Sequence, residues 1–100
     1  MTITKTVNGT TLTLSVAGRL DTITSVELSN ELDKIFAEET FDIVFDLKGL
    51  DYVSSAGLRV FLVAQKLASS KGAKLELTGV SDAVKEVLDI TGFSGILTIK

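Results

Sequence analysis

The chain has 100 residues, 45% of them hydrophobic, with 13 acidic and 10 basic side chains and a net charge of −3. Histidine, cysteine and proline are absent, which excludes a disulfide frame, a thiolate metal site and the usual general base at neutral pH. The cations are scattered without a basic stripe, which argues against direct nucleic-acid binding. No apolar run reaches the ~20 residues that span a bilayer, so membrane insertion is not expected either.

A chain of this size buries roughly two-thirds of its unfolded surface, enough for one core. A single domain over residues 1–100 is therefore expected. The first residues, "MTITKTVNGT", carry no signal-peptide pattern. With no cysteine, this predicts a cytoplasmic protein. No metal or cofactor is expected.

The first element is a hairpin. Ile3 and Val7 alternate with polar residues, as do Leu12, Leu14 and Val16. Asn8-Gly9 between them suits a two-residue type I′ turn. Next, Thr24 and Glu27 have capping-box spacing, with Ile23 and Leu28 at the hydrophobic-staple positions. Leu28, Leu32, Ile35 and Phe36 continue with helical spacing. "FDIVFDL" predicts a strand with Phe41, Ile43, Phe45 and Leu47 on one face and Asp42 and Asp46 on the other. A second helix is expected from near Ser54 to about Ser70, stopped by Gly72. "AKLELTG" is a further strand with Leu75 and Leu77 inward. Ser81 caps a last helix that Gly92 ends, and "GILTIK" adds a short terminal strand.

Strands separated by helices run parallel with right-handed crossovers. Because these strands alternate, one sheet face is wetter than the other. The fold class is therefore α/β: a mixed, mostly parallel sheet of 4–5 strands, with an N-terminal antiparallel hairpin and all long helices on one face.

The stretch "DYVSSAGLRVFL" places two serines at a helix start. A nucleophilic serine needs a base. No histidine, no Ser-x-x-Lys spacing and no Gly-x-Ser-x-Gly elbow is present. Asp46 and Asp51 have no pocket around them in sequence, and no phosphate-loop glycine pattern occurs. Enzyme activity is not expected. A serine hydroxyl does suit an N-cap, where it accepts a backbone N–H that otherwise lacks a partner. One serine suffices for that, and here there are two. A phosphate is also favoured at a helix N-terminus, and it brings nearly two negative charges to the surface. Asp51, and Asp21 at the mouth of the neighbouring strand, would sharpen that field.

At 100° per residue, Val60, Phe61, Ala64, Leu67 and Ala68 cluster on the core face of this helix. Leu58 and Leu62 fall off it, flanked by Arg59 and Lys66. Two readings stand side by side: both leucines form a partner contact, or the helix start is wedged beneath a loop and both are core.

Three segments carry a family resemblance. "VAGRLDTITSVEL" is similar to the strand–Gly-x-Leu-Asp–helix segment of the STAS domain, the fold of bacterial anti-sigma factor antagonists. "FDIVFDLKGLDYVSSAGLRVFL" resembles its strand-to-helix segment, whose usual core is Asp-Ser-Ser/Thr/Ala-Gly-Leu. "GVSDAVKEVLDITGF" resembles its last helix. The three occur in order at matching spacing and together cover essentially the whole chain. The family's phosphorylated hydroxyl, two residues before the glycine, falls on Ser55, with Ser54 the runner-up. The preceding Asp of the family falls on Ser54, and Asp82 replaces the Pro of the Ser-Pro that usually opens the last helix.

The resemblance implies an anti-sigma factor antagonist, a regulator of transcription. Unphosphorylated, it would bind an anti-sigma factor of the histidine-kinase-like ATPase fold and free the sigma factor. That partner, a serine kinase, would phosphorylate Ser55, and a serine phosphatase would reset it. Asp21, Ser54, Ser55, Leu58, Arg59, Leu62 and Lys66 are the expected partner-binding residues. The family implies an alternative too: a non-phosphorylated interaction subunit of a larger assembly, such as a lipid-trafficking ABC transporter or a stress-signalling scaffold. There the serines only cap.

Overall fold

The computed structural model describes residues 1–38 and 41–100. Its elements in order are β1 (Thr2–Asn8), β2 (Thr11–Leu20), α1 (Thr22–Glu38), β3 (Asp42–Asp46), β4 (Leu50–Val53), α2 (Ser55–Ser70), β5 (Leu75–Thr78), α3 (Asp82–Ile90) and β6 (Thr98–Ile99). A single 3-10 turn, Phe93–Gly95, lies between α3 and β6.

The strands form one six-stranded sheet in the order β1-β2-β3-β5-β6, with β4 pairing β2 off that path. β1 runs antiparallel to β2 and every other pairing is parallel. Each crossover after β2 steps in the same direction, so right-handed connections put the helices on one face. The register confirms it. Leu12, Ile43 and Leu75 form one row across β2, β3 and β5, and Leu14, Phe45 and Leu77 form the next. All six are at most 2% exposed. The row between them, Thr13, Val44 and Glu76, faces the other way and is half-buried. The helices supply the opposite wall of the core through Leu28, Leu32, Ile35, Phe36, Phe61, Ala64, Ala68, Val84 and Leu88.

Three expectations are corrected. The sheet has six strands rather than 4–5, because Leu50–Val53 forms a strand of its own on the second half of β2. That stretch is too short and too mixed in polarity for periodicity to reveal it. In the hairpin, Asn8 pairs with Thr11, so the connection is Gly9–Thr10. Only Gly9 has positive φ, 64°, whereas a type I′ turn needs two such residues. This register sets Val7 against Leu12 and Ile3 against Val16. Apolar side chains then oppose each other across the strands. Finally, α1 starts at Thr22, three residues before the expected box would place it. The Asp21 carboxylate accepts from the Ile23 and Thr24 N–H groups at 3.0 and 2.9 Å. The Thr24 hydroxyl accepts from the Asp21 N–H at 2.9 Å. The box is thus Asp21 with Thr24, and Ile23 is no staple, being 82% exposed.

Candidate functional site

The start of α2 is seated on a platform made by the second half of β2 and by β4. Past a register shift at Gly18, whose φ is 98°, Arg19 pairs with Tyr52 and Leu20 with Val53. The Ser54 N–H donates to the Leu20 carbonyl at 2.8 Å, carrying the β2–β4 ladder up to the residue that caps the helix. Gly57 then lies so close to the platform that a Cβ there would be 2.8 Å from Leu20 and 2.9 Å from Val53. Only a residue without a side chain allows this approach.

The two serines occupy different environments. Ser54 is extended, with φ −88° and ψ 171°, and its Oγ accepts from the Gly57 N–H at 3.1 Å. Its carbonyl accepts from the Leu58 N–H at 2.9 Å. It is half-buried and is the N-cap of α2. Ser55, the first helical residue, is exposed.

The same close seat corrects the expectation for Leu58. It is 4% exposed and belongs to the core with Phe61, Ala64 and Ala68. Phe61 meets Phe45 edge-on, with ring centroids 5.1 Å apart. Leu62 is half-buried, at the rim. The buried stripe is rotated from the expected one, and Val60 and Leu67 are only half-buried. An isolated wheel assumes that the apolar maximum points at the sheet. Here the first turn is drawn down by Gly57, and Leu58 is drawn in with it. Ser55, Arg59, Val63 and Lys66 form the exposed outer face of α2.

Between α1 and α2 runs an open groove of about 550 Å³. Val26, Val60, Val63 and Leu67 give it an apolar floor, and Ser55 and Arg59 lie at one end of its wall. Val26 and Val63 are 59% and 47% exposed. Beside the platform, the Arg19 guanidinium lies over the Tyr52 ring, 4.2 Å from its centroid. The Asp21 carboxyl is held below its ordinary range, first by the Thr24 N–H, then by the Thr24 hydroxyl and the Ile23 N–H, with a smaller contribution from Arg19. Asp21 is thus an ionised cap of α1 as well as a neighbour of the α2 start.

The structure brings Asp21, Ser54, Ser55 and Arg59 to one end of the molecule. Leu62 is one turn further along α2 from Leu58, and Lys66 one turn further again. Sequence reasoning missed the groove and the Arg19–Tyr52 stack. Val26 and Val63, apolar residues off their helices' core stripes, were the legible signal for the groove. The stack had none, since it depends on the β2–β4 pairing. Among the described residues, no group of three or more His, Cys, Asp or Glu could hold a metal ion, and no helix is long and apolar enough to cross a membrane.

Comparison with known proteins agrees with this architecture. A sequence model of the STAS domain matches residues 2–100. The anti-sigma-B factor antagonist of Listeria monocytogenes is 34% identical over 85 residues, 85% of this chain and 75% of that protein. An anti-sigma factor antagonist from Mycobacterium paratuberculosis superimposes with a TM-score of 0.88 at 18% identity, over 98% of this chain and 83% of that one. The Bacillus cell-fate determinant SpoIIAA in its phosphorylated form gives 0.77 at 15% identity, over 99% and 91%. The six-stranded mixed sheet with its helices on one face, the serine-capped α2 seated through Gly57 and the match along nearly the full sequence lead to one conclusion: this chain belongs to the STAS domain family.

Proposed function

We propose that this protein is an anti-sigma factor antagonist: it binds an anti-sigma factor, so releasing a sigma factor, and phosphorylation of Ser55 ends that binding. The observation that carries this reading is the division between the serines. Ser54 is occupied as the cap of α2, while Ser55 presents an exposed hydroxyl on the first turn. The relative from Listeria monocytogenes, named an anti-sigma-B factor antagonist, supports the choice of partner.

The chemistry is that of a docking surface whose charge is switched. A phosphate adds nearly two negative charges and three acceptor oxygens at the helix start. A partner surface fitted to a neutral hydroxyl then meets bulk and charge. The protein is a ligand and a phosphate acceptor. Catalysis resides in the partner, a serine kinase of the histidine-kinase-like ATPase fold, and in a phosphatase that resets the switch. All of this takes place in the cytoplasm, where sigma factors act. With Leu58 in the core, the docking surface is carried by Ser55, Arg59, Lys66 and the rim residue Leu62, bordered by Asp21.

The test is a pull-down from the native cell with mass spectrometry of the bait. Recovery of an anti-sigma factor, and phosphate on Ser55, are expected. Ser55→Ala should bind permanently, and Leu62→Asp should weaken binding while the fold stays intact. Phosphate on Ser54 alone would reverse the assignment. Tight binding with no phosphate on either serine would make the protein a non-phosphorylated interaction subunit.

A further inference from the structure

Helix α2 begins with an unmatched positive end. Its first turn contains no acidic residue. From Ser55 to Gln65 the helix has one charged side chain, Arg59. The backbone N–H groups and the cation therefore add rather than cancel. Arg59 is exposed, and among the described residues it has no ion-pair or hydrogen-bond partner. Asp33 is the other charged group lining the groove, and no salt bridge joins the two.

Ser55 and Arg59 stand four residues apart and line the same end of the groove. That spacing puts their Cβ atoms about 5–6 Å apart on one helix face, with the anion-bearing position on the favourable N-terminal side. A guanidinium presents a planar fork of N–H donors that matches two phosphate oxygens at once.

We propose that Arg59 is the intramolecular receptor for a phosphate carried on Ser55, closing onto it across one helical turn. The proposal rests on the reading of Ser55 as the acceptor and specifies how the modification acts. Before phosphorylation, Arg59 offers a free cation at the mouth of the groove, available to an acidic side chain of the partner. Afterwards that cation is engaged by the phosphate. One modification thus adds an anion and withdraws the cation a partner's acid would use.

The test needs no kinase. Phosphoserine is installed at position 55 of the full chain during translation, and the phosphate is titrated by phosphorus NMR. With Arg59 present, its second ionisation should lie lower than in Arg59→Ala by about half a pH unit. Arg59→Lys should fall between them. Lys71→Ala removes a charge at the far end of the same helix and should leave the midpoint where it is. High salt should shrink the Arg59 effect. Equal midpoints with and without Arg59 would overturn the proposal, as would an equal displacement by Arg59→Ala and Lys71→Ala. Because the phosphate is placed synthetically, failure here leaves Ser55 standing as the acceptor. Failure of a kinase to modify Ser55 would leave the pairing measurable.

Discussion

Helices α2 and α3 open on the same device and use it differently. Each has a serine N-cap whose Oγ accepts from the N–H three residues on: Gly57 at 3.1 Å for Ser54, Val84 at 3.3 Å for Ser81. Each leaves the residue after the cap exposed. At α3 that residue is Asp82, a carboxylate that answers the helix dipole, and the residue four after the cap is the exposed Lys85. At α2 the corresponding residues are Ser55, which carries no charge, and Leu58, which is buried. One start is electrostatically complete, with a charged and exposed side chain at the fourth position. The other is firmly seated and electrostatically open. A cap signature in sequence therefore says where a helix begins, and its surroundings decide what that beginning can do.

Substitutions in the two helix starts test this contrast. The largest effect is expected at the fourth position. Leu58→Ala should destabilise the fold by about 2–5 kcal/mol, the range for truncating a buried leucine. Lys85→Ala should leave the melting temperature nearly unchanged, as surface changes do. Comparable melts for the two variants would mean that α2 is not seated as described.

Next comes the seat itself. Gly57→Ala would press a methyl group into Leu20 and Val53 and should cost about 1–3 kcal/mol, as overpacking does. Chemical denaturation with an unchanged m-value would show that stability alone has altered. The caps come third: Ser54→Ala and Ser81→Ala should each lose about 1 kcal/mol, measurable as a drop of several degrees in melting temperature. Phosphorylation of Ser55 should survive the first.

The smallest effects sharpen the contrast most. Ser55→Asp should stabilise the protein by about 0.3–1 kcal/mol by giving α2 the first-turn carboxylate it lacks, while Asp82→Ser should lose a similar amount from α3. Ser55→Asp should also weaken partner binding, although one charge imitates only part of a phosphate. If Ser55→Asp instead lowers the melting temperature, the start of α2 is not short of negative charge.

Much of the site was legible because its signals are local. The serine pair, the glycine after it and the Asp21 that precedes α1 are each read within a few residues. The Thr24–Glu27 box was misplaced because two overlapping cap patterns compete in "DTITSVE", and spacing alone does not rank them. The structure selects Asp21 because its carboxylate reaches two N–H groups while Thr24 answers back to Asp21. Leu58 was misjudged for another reason. Periodicity gives the angle between side chains on a helix, not the rotation of that helix against its neighbours.

By itself, the sequence determined the order of the helices and of every strand but Leu50–Val53, the one-sided sheet and the helix starts at Ser54 and Ser81. Alternation, helical spacing and capping act through bonds and side chains near in the chain. Tertiary structure alone decided the strand Leu50–Val53, the burial of Leu58, the Arg19–Tyr52 stack and the groove between α1 and α2. Each depends on how closely two elements distant in sequence approach each other. At the site that distance is set by Gly57, where the missing side chain lets α2 settle onto Leu20 and Val53.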